Sequence, residues 1–403
     1  MKYCGQRNWF SMRNSNANHP LFNIQGFLRS RIKDVRDLIN AIPLDYKQIF
    51  FAFISTRLVL TLVGVIGRIV IKSPDALRYS RFIFFDIWGC KDSGWYVNIA
   101  LQGYSMQKNF LGQTNLAFFP LYPYLMKFVG FLIGNRPFIA GIIISNIFLL
   151  VSLIYLYKLI KLDYEKQIAM KTARYLLLLP VAFIFSGVFT ESIFLALTVM
   201  SLYYAKKDKW LISGICGFFS SLTKVTGFLL LVPILIILLK KIKYNFSKLE
   251  FKHLYTLLIP AGFGLYYIFL YINSGNFFEY FAIQEAWGRD ILNPLSIILS
   301  GVISSSFTYN FLAGYTIISM ILLLSFIKKI KLEYFVYSIY TLFIPLFSSL
   351  ESIPRYTLVI FPFAFIFALI GRSRNNDMIL SISLALIQGG LMLVWAGGIP
   401  LQY

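Results

Sequence analysis

Histidine occurs only at His19 and His253 in 403 residues, so a zinc site built on imidazole has no raw material. Cys4, Cys90 and Cys216 form no CxxC pair, and no thiol motif for metal or redox work can be read from them. Charge is scarce as well. Asp, Glu, Lys and Arg make up 14% of the chain, against roughly 25% in an ordinary soluble domain. With 58% hydrophobic residues there is too little polar surface to cover a soluble core of that size. Acidic residues number 17 against 38 Lys and Arg, a net charge of +21. That excess does not point to nucleic acid, because no stretch outside the apolar segments alternates basic with aromatic residues.

What is present is a series of apolar runs separated by short basic clusters, the positive-inside pattern of a polytopic membrane protein. Residues 1–48 read as a cytoplasmic, amphipathic N-terminal segment. Leu28, Ile32, Val35, Ile39 and Ile42 recur at helical spacing, with Arg29, Lys33 and Arg36 on other faces. The first long apolar run starts near Ile49, too far in for a cleaved signal peptide. From 49 to 403 the chain reads as one transmembrane domain.

A spanning helix needs about 20 apolar residues. On hydropathy, spans are expected at 49–70, 138–157, 175–188, 191–205, 254–272, 311–327, 334–349, 356–370 and 378–395. A hairpin over 211–239 is expected to turn at Leu222–Gly227. This makes about eleven crossings in an all-α fold, with juxtamembrane helices in the first external loop, 71–115, and the following stretch. Ser352–Tyr356 is expected as an external turn. The segments assigned to the cytoplasm hold 26 of the 38 basic residues. The other basic residues stand in or beside lipid, where charge is costly.

Four unusual groups then fall on the external face. They are Lys91–Tyr96 running on to Tyr104, Phe189–Ser192, Ser221–Lys224 with Gly227, and Glu285–Arg289 together with Pro354–Tyr356. A carboxylate such as Asp92 or Glu191 can take a proton from a hydroxyl. Lys224, Arg289 and Arg355 can hold a phosphate. Trp95, Tyr96, Tyr104, Trp287 and Tyr356 can stack on a sugar ring. Each also has a plainer reading. Asp92 could be a solvated loop carboxylate, Glu191 a helix cap, Lys224 and Arg355 snorkelling cations, and the aromatics an interfacial belt.

The runs "KDSGWYVNIALQGY" and "LAFFPLYP", followed in order by "FSGVFTESIFLAL", "SLTKVTG", "FAIQEAWGR" and "SIPRYTLVIFPF", resemble the GPI mannosyltransferase II (PIG-V) family. Together they span roughly residues 50–370. The resemblance implies a GT-C-like polytopic glycosyltransferase that takes a sugar, mannose or a similar hexose, from a polyprenyl-phosphate donor on the non-cytoplasmic face with inversion. It implies a lipid- or protein-linked glycan as acceptor. Carried over, it places the catalytic acid at Asp92, a second acidic position at Glu191, Lys224 where relatives often have Arg, and the "RY" arginine at Arg355. Lys91 stands where the family normally has Trp, which keeps Asp86, before Trp88, as a fallback. The membrane implied is the bacterial inner membrane, or that of the endoplasmic reticulum in a eukaryote. No motif calls for a resident metal or cofactor, and a divalent cation is left open. The rival reading is a transporter or flippase of lipid-linked sugars; the paired internal repeats it would favour are not visible.

Overall fold

The structure, a computed structural model, describes residues 31, 40, 42–71, 73, 78–289 and 292–399. The amphipathic helix expected before residue 42, and Asp75 in the first external loop, lie outside the described residues. Among the described residues there is no strand. In chain order the α-helices are α1 Leu44–Ile71, α2 Ile83–Asp86, α3 Ser93–Gln102, α4 Leu121–Leu132, α5 Pro137–Lys161 and α6 Lys166–Leu178. They continue as α7 Glu191–Lys206, α8 Trp210–Ser221, α9 Leu231–Lys241, α10 Leu258–Ser274, α11 Glu279–Ala286 and α12 Pro294–Val302. The last are α13 Phe307–Ser325, α14 Leu332–Leu346, α15 Ile353–Leu358, α16 Pro362–Ile370 and α17 Arg374–Ala396.

Five of the expected crossings fall on a helix long and apolar enough to span a bilayer: α1, α5, the continuous helical stretch Phe251–Ser274, α13 and α17. The chain is a multi-pass membrane protein. α1 and α17 show their apolar side chains outward, with Phe51 75% and Leu386 71% exposed, as lipid-facing helices do. The other six expected crossings fall on shorter or broken helices, from the nine residues of α16 to the sixteen of α7. The count of eleven therefore does not rest on single full-length helices.

The break between α6 and α7 differs most from the hydropathy reading. A span was expected over 175–188, but α6 starts earlier and stops at Leu178, and the chain to Thr190 is non-α yet buried. Irregular backbone at membrane depth persists only where other groups satisfy it. Here Gln388 of α17 donates Nε2 to the Leu177 and Leu179 carbonyls at 2.9 Å each. Arg57 of α1 donates to the Ala182 carbonyl at 3.2 Å and Ser192 to that of Phe185 at 2.6 Å. Ser93 of α3 donates to the Val188 carbonyl at 3.2 Å. The stretch is thereby pinned from four helices, α1, α3, α7 and α17, and it delivers Glu191 to the first position of α7.

The hairpin tip expected at Leu222–Gly227 is present, between α8 and a 3₁₀ turn over Val225–Leu230. A Cβ on Gly227 would lie 2.3 Å from the Ser220 carbonyl oxygen, so only glycine lets the tip close. Small residues also bring α8 and α10 together. A Cβ on Gly262 would lie 2.3 Å from the Phe218 carbonyl oxygen. Ser352–Tyr356, expected as a turn, is instead a left-handed residue, Ser352 with φ 63°, followed by the start of α15. The fixed φ of Pro354 suits the first turn of a helix, and this sets Arg355 on a short, rigid element.

Candidate active site

Asp92 immediately precedes α3, and Lys91 before it holds φ at 43°, a conformation non-glycine residues rarely adopt. Arg355 follows the left-handed Ser352 by three residues. Both ends of the central contact are therefore attached to uncommon backbone, which clusters at functional sites. Arg355 Nη1 lies 2.5 Å from Asp92 Oδ2. Arg355 Nε stands 3.4 Å from Glu191 Oε1, and Lys224 Nζ lies 2.7 Å from the same oxygen. The result is an alternating chain, Asp92–Arg355–Glu191–Lys224, assembled from four separate elements.

This chain borders a cleft of about 80 Å³ lined also by Tyr96, Phe118, Arg289 and Tyr356. Glu191 is the deepest member, with its side chain 1% exposed, and its Oε2 is buried with no hydrogen-bond partner. Asp92 is not a freely solvated loop residue: its side chain is 24% exposed and ion-paired. Burial pushes its carboxyl upward, but the Arg355 guanidinium, aided by Arg289 and Lys91, more than reverses this and holds it below the usual carboxylate value.

An aromatic wall adjoins the cleft. Trp95 stacks on Phe118 at 5.8 Å, and Trp287 meets Phe118 and Trp95 edge-on, both at 5.4 Å. The Trp287 Nε1 proton is buried without an acceptor. Arg289 leans over the Trp287 ring at 5.8 Å and donates to Gln284 at 2.8 Å. Phe118 was not among the candidates from sequence, although it lies in the "LAFFPLYP" run. Tyr356 stands between cations, its ring 5.4 Å from Lys224 Nζ and 5.9 Å from the Arg355 guanidinium carbon.

Of the candidates, Asp92, Tyr96, Lys224, Arg289, Arg355 and Tyr356 share the cleft, Glu191 underlies it, and Trp95 and Trp287 stand beside it. Tyr104 does not join them. Its hydroxyl donates to the Phe118 carbonyl at 2.6 Å, and its ring packs on Phe269 in the apolar core behind the wall. The fallback Asp86 is occupied elsewhere. Its Oδ1 accepts from the Tyr79 and Ser80 amides at 2.7 and 3.1 Å, and its Oδ2 pairs with Arg68 at 3.0 Å. Among the described residues no group of three or more His, Cys, Asp or Glu side chains could hold a metal ion.

Residues 119–268 match the family model of dolichyl-phosphate-mannose-protein mannosyltransferases. No curated protein matches the chain in sequence. Among solved structures, ArnT from Cupriavidus metallidurans bound to undecaprenyl phosphate superposes over 83% of this chain with a TM-score of 0.52 at 15% identity. The fold is of the GT-C type. This chain spans 62% of the ArnT chain. The archaeal oligosaccharyltransferase AglB from Archaeoglobus fulgidus, in complex with an inhibitory peptide and a dolichol-phosphate, is similar over 86% of this chain and 55% of its own, with a TM-score of 0.45 at 12% identity. In this fold, α2 to α4 occupy the region after the first span where juxtamembrane helices were expected; Asp92, Trp95 and Phe118 lie in this region, and Trp287 reaches the wall from the end of α11.

Proposed function

We infer that this chain is a membrane glycosyltransferase that moves a hexose from a polyprenyl-phosphate donor to a lipid- or protein-linked glycan on the non-cytoplasmic face. The observation that carries this reading is the cleft in which one carboxylate, Asp92, meets three cations, Arg355, Lys224 and Arg289. Those are the two charges the reaction needs. As the acceptor oxygen bonds to the anomeric carbon, the carbon–oxygen bond to the phosphate breaks, and negative charge grows on the departing polyprenyl phosphate. Arg355, Lys224 and Arg289 stabilise that charge. Asp92 takes the acceptor's proton, and attack from the face opposite the phosphate inverts the anomeric centre. The aromatic wall offers a surface for the sugar ring, and Trp287 Nε1 a donor for one hydroxyl.

At rest Arg355 and Lys224 are held by the protein's own carboxylates, and Arg289 by the Gln284 side chain. A donor phosphate competes for Arg355, since guanidinium binds phosphate and carboxylate with the same fork. When Arg355 turns to the phosphate, Asp92 loses its counter-ion and its proton affinity rises. Basicity thus follows donor binding. The same movement makes room, because about 80 Å³ is well below the ~300 Å³ at which small-molecule sites begin.

Mannose is the sugar favoured by the resemblance to the PIG-V family and by the matched family model. The test is transfer by the purified chain in lipid nanodiscs, offered radiolabelled polyprenyl-phosphate mannose and, in parallel, the glucose analogue, with a membrane-glycan extract as acceptor. Labelled glycan that disappears on Asp92→Asn supports the reading. Label that merely crosses the bilayer, with no glycan product, overturns it in favour of a transporter.

A further inference from the structure

A second cavity, of about 220 Å³, lies at the end of the bundle where α1 begins, away from the Asp92 segment that follows its other end. Its walls are the first turns of α1 and the C-terminal half of α6. Ile49, Ala52, Met170 and Leu177 make it apolar, while Lys171 and Arg174 edge it with positive charge. The basic loops assign this end to the cytoplasm.

The charge here does not balance. Asp377 Oδ1 is 2.5 Å from Arg174 Nη2, 2.8 Å from the Tyr175 hydroxyl and 3.5 Å from Lys171 Nζ. Lys171 also donates to the Gly371 carbonyl. Among the described residues one carboxylate thus faces these two cations and leaves one positive charge over. Arg174 Nε is buried with no hydrogen-bond partner. Snorkelling alone would carry both cations out to bulk water; the Arg174 side chain is 39% exposed, but that of Lys171 is 14% exposed and borders the cavity. A water takes about 30 Å³ of liquid, so the space holds roughly seven. That suits a phosphoglycerol head group and excludes a folded peptide.

We propose that this cavity binds an anionic phospholipid of the cytoplasmic leaflet, with its phosphate on Arg174 and Lys171 and the start of one acyl chain against Ile49, Ala52 and Leu177. Charge complementarity selects the occupant. An excess cation at head-group depth, beside an apolar groove between spanning helices, matches the anionic surface of that leaflet. A zwitterionic lipid of the same shape brings a second positive charge and gains less.

The experiment uses the full chain in detergent, loaded with phosphatidylglycerol or with phosphatidylcholine of identical acyl chains, and counts retained lipid by native mass spectrometry. The wild type should retain phosphatidylglycerol at least about tenfold better than phosphatidylcholine. Arg174→Gln should abolish that preference. Because Arg174→Gln also breaks the Asp377 contact, a second variant, Ala52→Phe, fills the groove and leaves every charge in place; it should reduce phosphatidylglycerol retention to the same degree. Equal retention of the two lipids by the wild type overturns the proposal, as does undiminished retention by both variants. Displacement of the lipid by millimolar inorganic phosphate overturns it too, since that marks a small-anion site.

Discussion

Arg355 Nη1 lies 2.5 Å from Asp92 Oδ2 across 263 positions of sequence, and this pair closes the candidate active site. Neither residue stands on a long helix. Asp92 hangs before α3, and Arg355 sits in the six-residue α15. The pair is therefore a junction between the segment that follows α1 and the short α15 late in the chain, and breaking it tests chemistry and structure together.

Asp92→Asn should lower transfer by about 10²–10⁴, the usual cost of losing a general base. The amide keeps the shape but cannot accept the acceptor's proton. Because Asp92 is paired with Arg355, the variant should also lose stability, by roughly 1–3 kcal/mol, since the amide oxygen still accepts but no longer carries the charge. The stabilising contribution is complete above the ordinary carboxylate value near ~3.9 and is lost as pH falls through the depressed folded value. Rates and thermal melts on purified protein check both. More than about a tenth of wild-type turnover in a folded variant rejects Asp92 as the base.

Arg355→Met should change the pH profile as well as donor use. Arg355 is what draws the Asp92 carboxyl down against its burial, so removing it leaves burial dominant and raises the pKa. The acidic limb of kcat/KM, which reports the free enzyme, should move to higher pH. Lys224→Met should weaken donor use with a smaller shift, because Lys224 contacts Glu191 rather than Asp92. An unchanged limb in Arg355→Met would separate the pair from the chemistry.

Asp86→Asn should do the reverse of Asp92→Asn. With two backbone amides and Arg68 on its oxygens, Asp86 holds the turn before α3. An amide in its place leaves the Arg68 pairing weakened and costs about 1–3 kcal/mol of stability, while turnover per folded molecule stays near wild type. A hundredfold fall in turnover of folded Asp86→Asn would move the base to Asp86.

Topology can be read with single cysteines in a background lacking Cys4, Cys90 and Cys216. Ser105→Cys, in the segment carrying Asp92, should react with an impermeant maleimide added outside intact cells, and Glu165→Cys, between α5 and α6, should not. Both positions are exposed, so access is decided by the membrane alone. The opposite pattern would invert the bundle and place the cleft in the cytoplasm.

Membrane insertion, helical class and the strongest spans were legible in the sequence because they depend on local composition. A run such as Pro137–Lys161 is apolar by itself, and a basic cluster is basic wherever the chain goes. The hairpin tip was legible too, since Gly227 and its polar neighbours interrupt an apolar run. The motifs also nominated Asp92, Glu191, Lys224 and Arg355, each on chemistry alone. Tertiary structure decided what these residues do to one another. Pattern in sequence carries no record of a contact 263 residues long, so the pairing of Asp92 with Arg355, the engagement of Asp86 by Arg68 and the turning of Tyr104 into the core could not be read from it. The same holds for the break after Leu178. Hydropathy marks 175–188 as apolar and therefore membrane-embedded. Whether an apolar stretch stays helical depends on whether other groups take its carbonyls, and Gln388 and Arg57 reach them from helices far away in the chain.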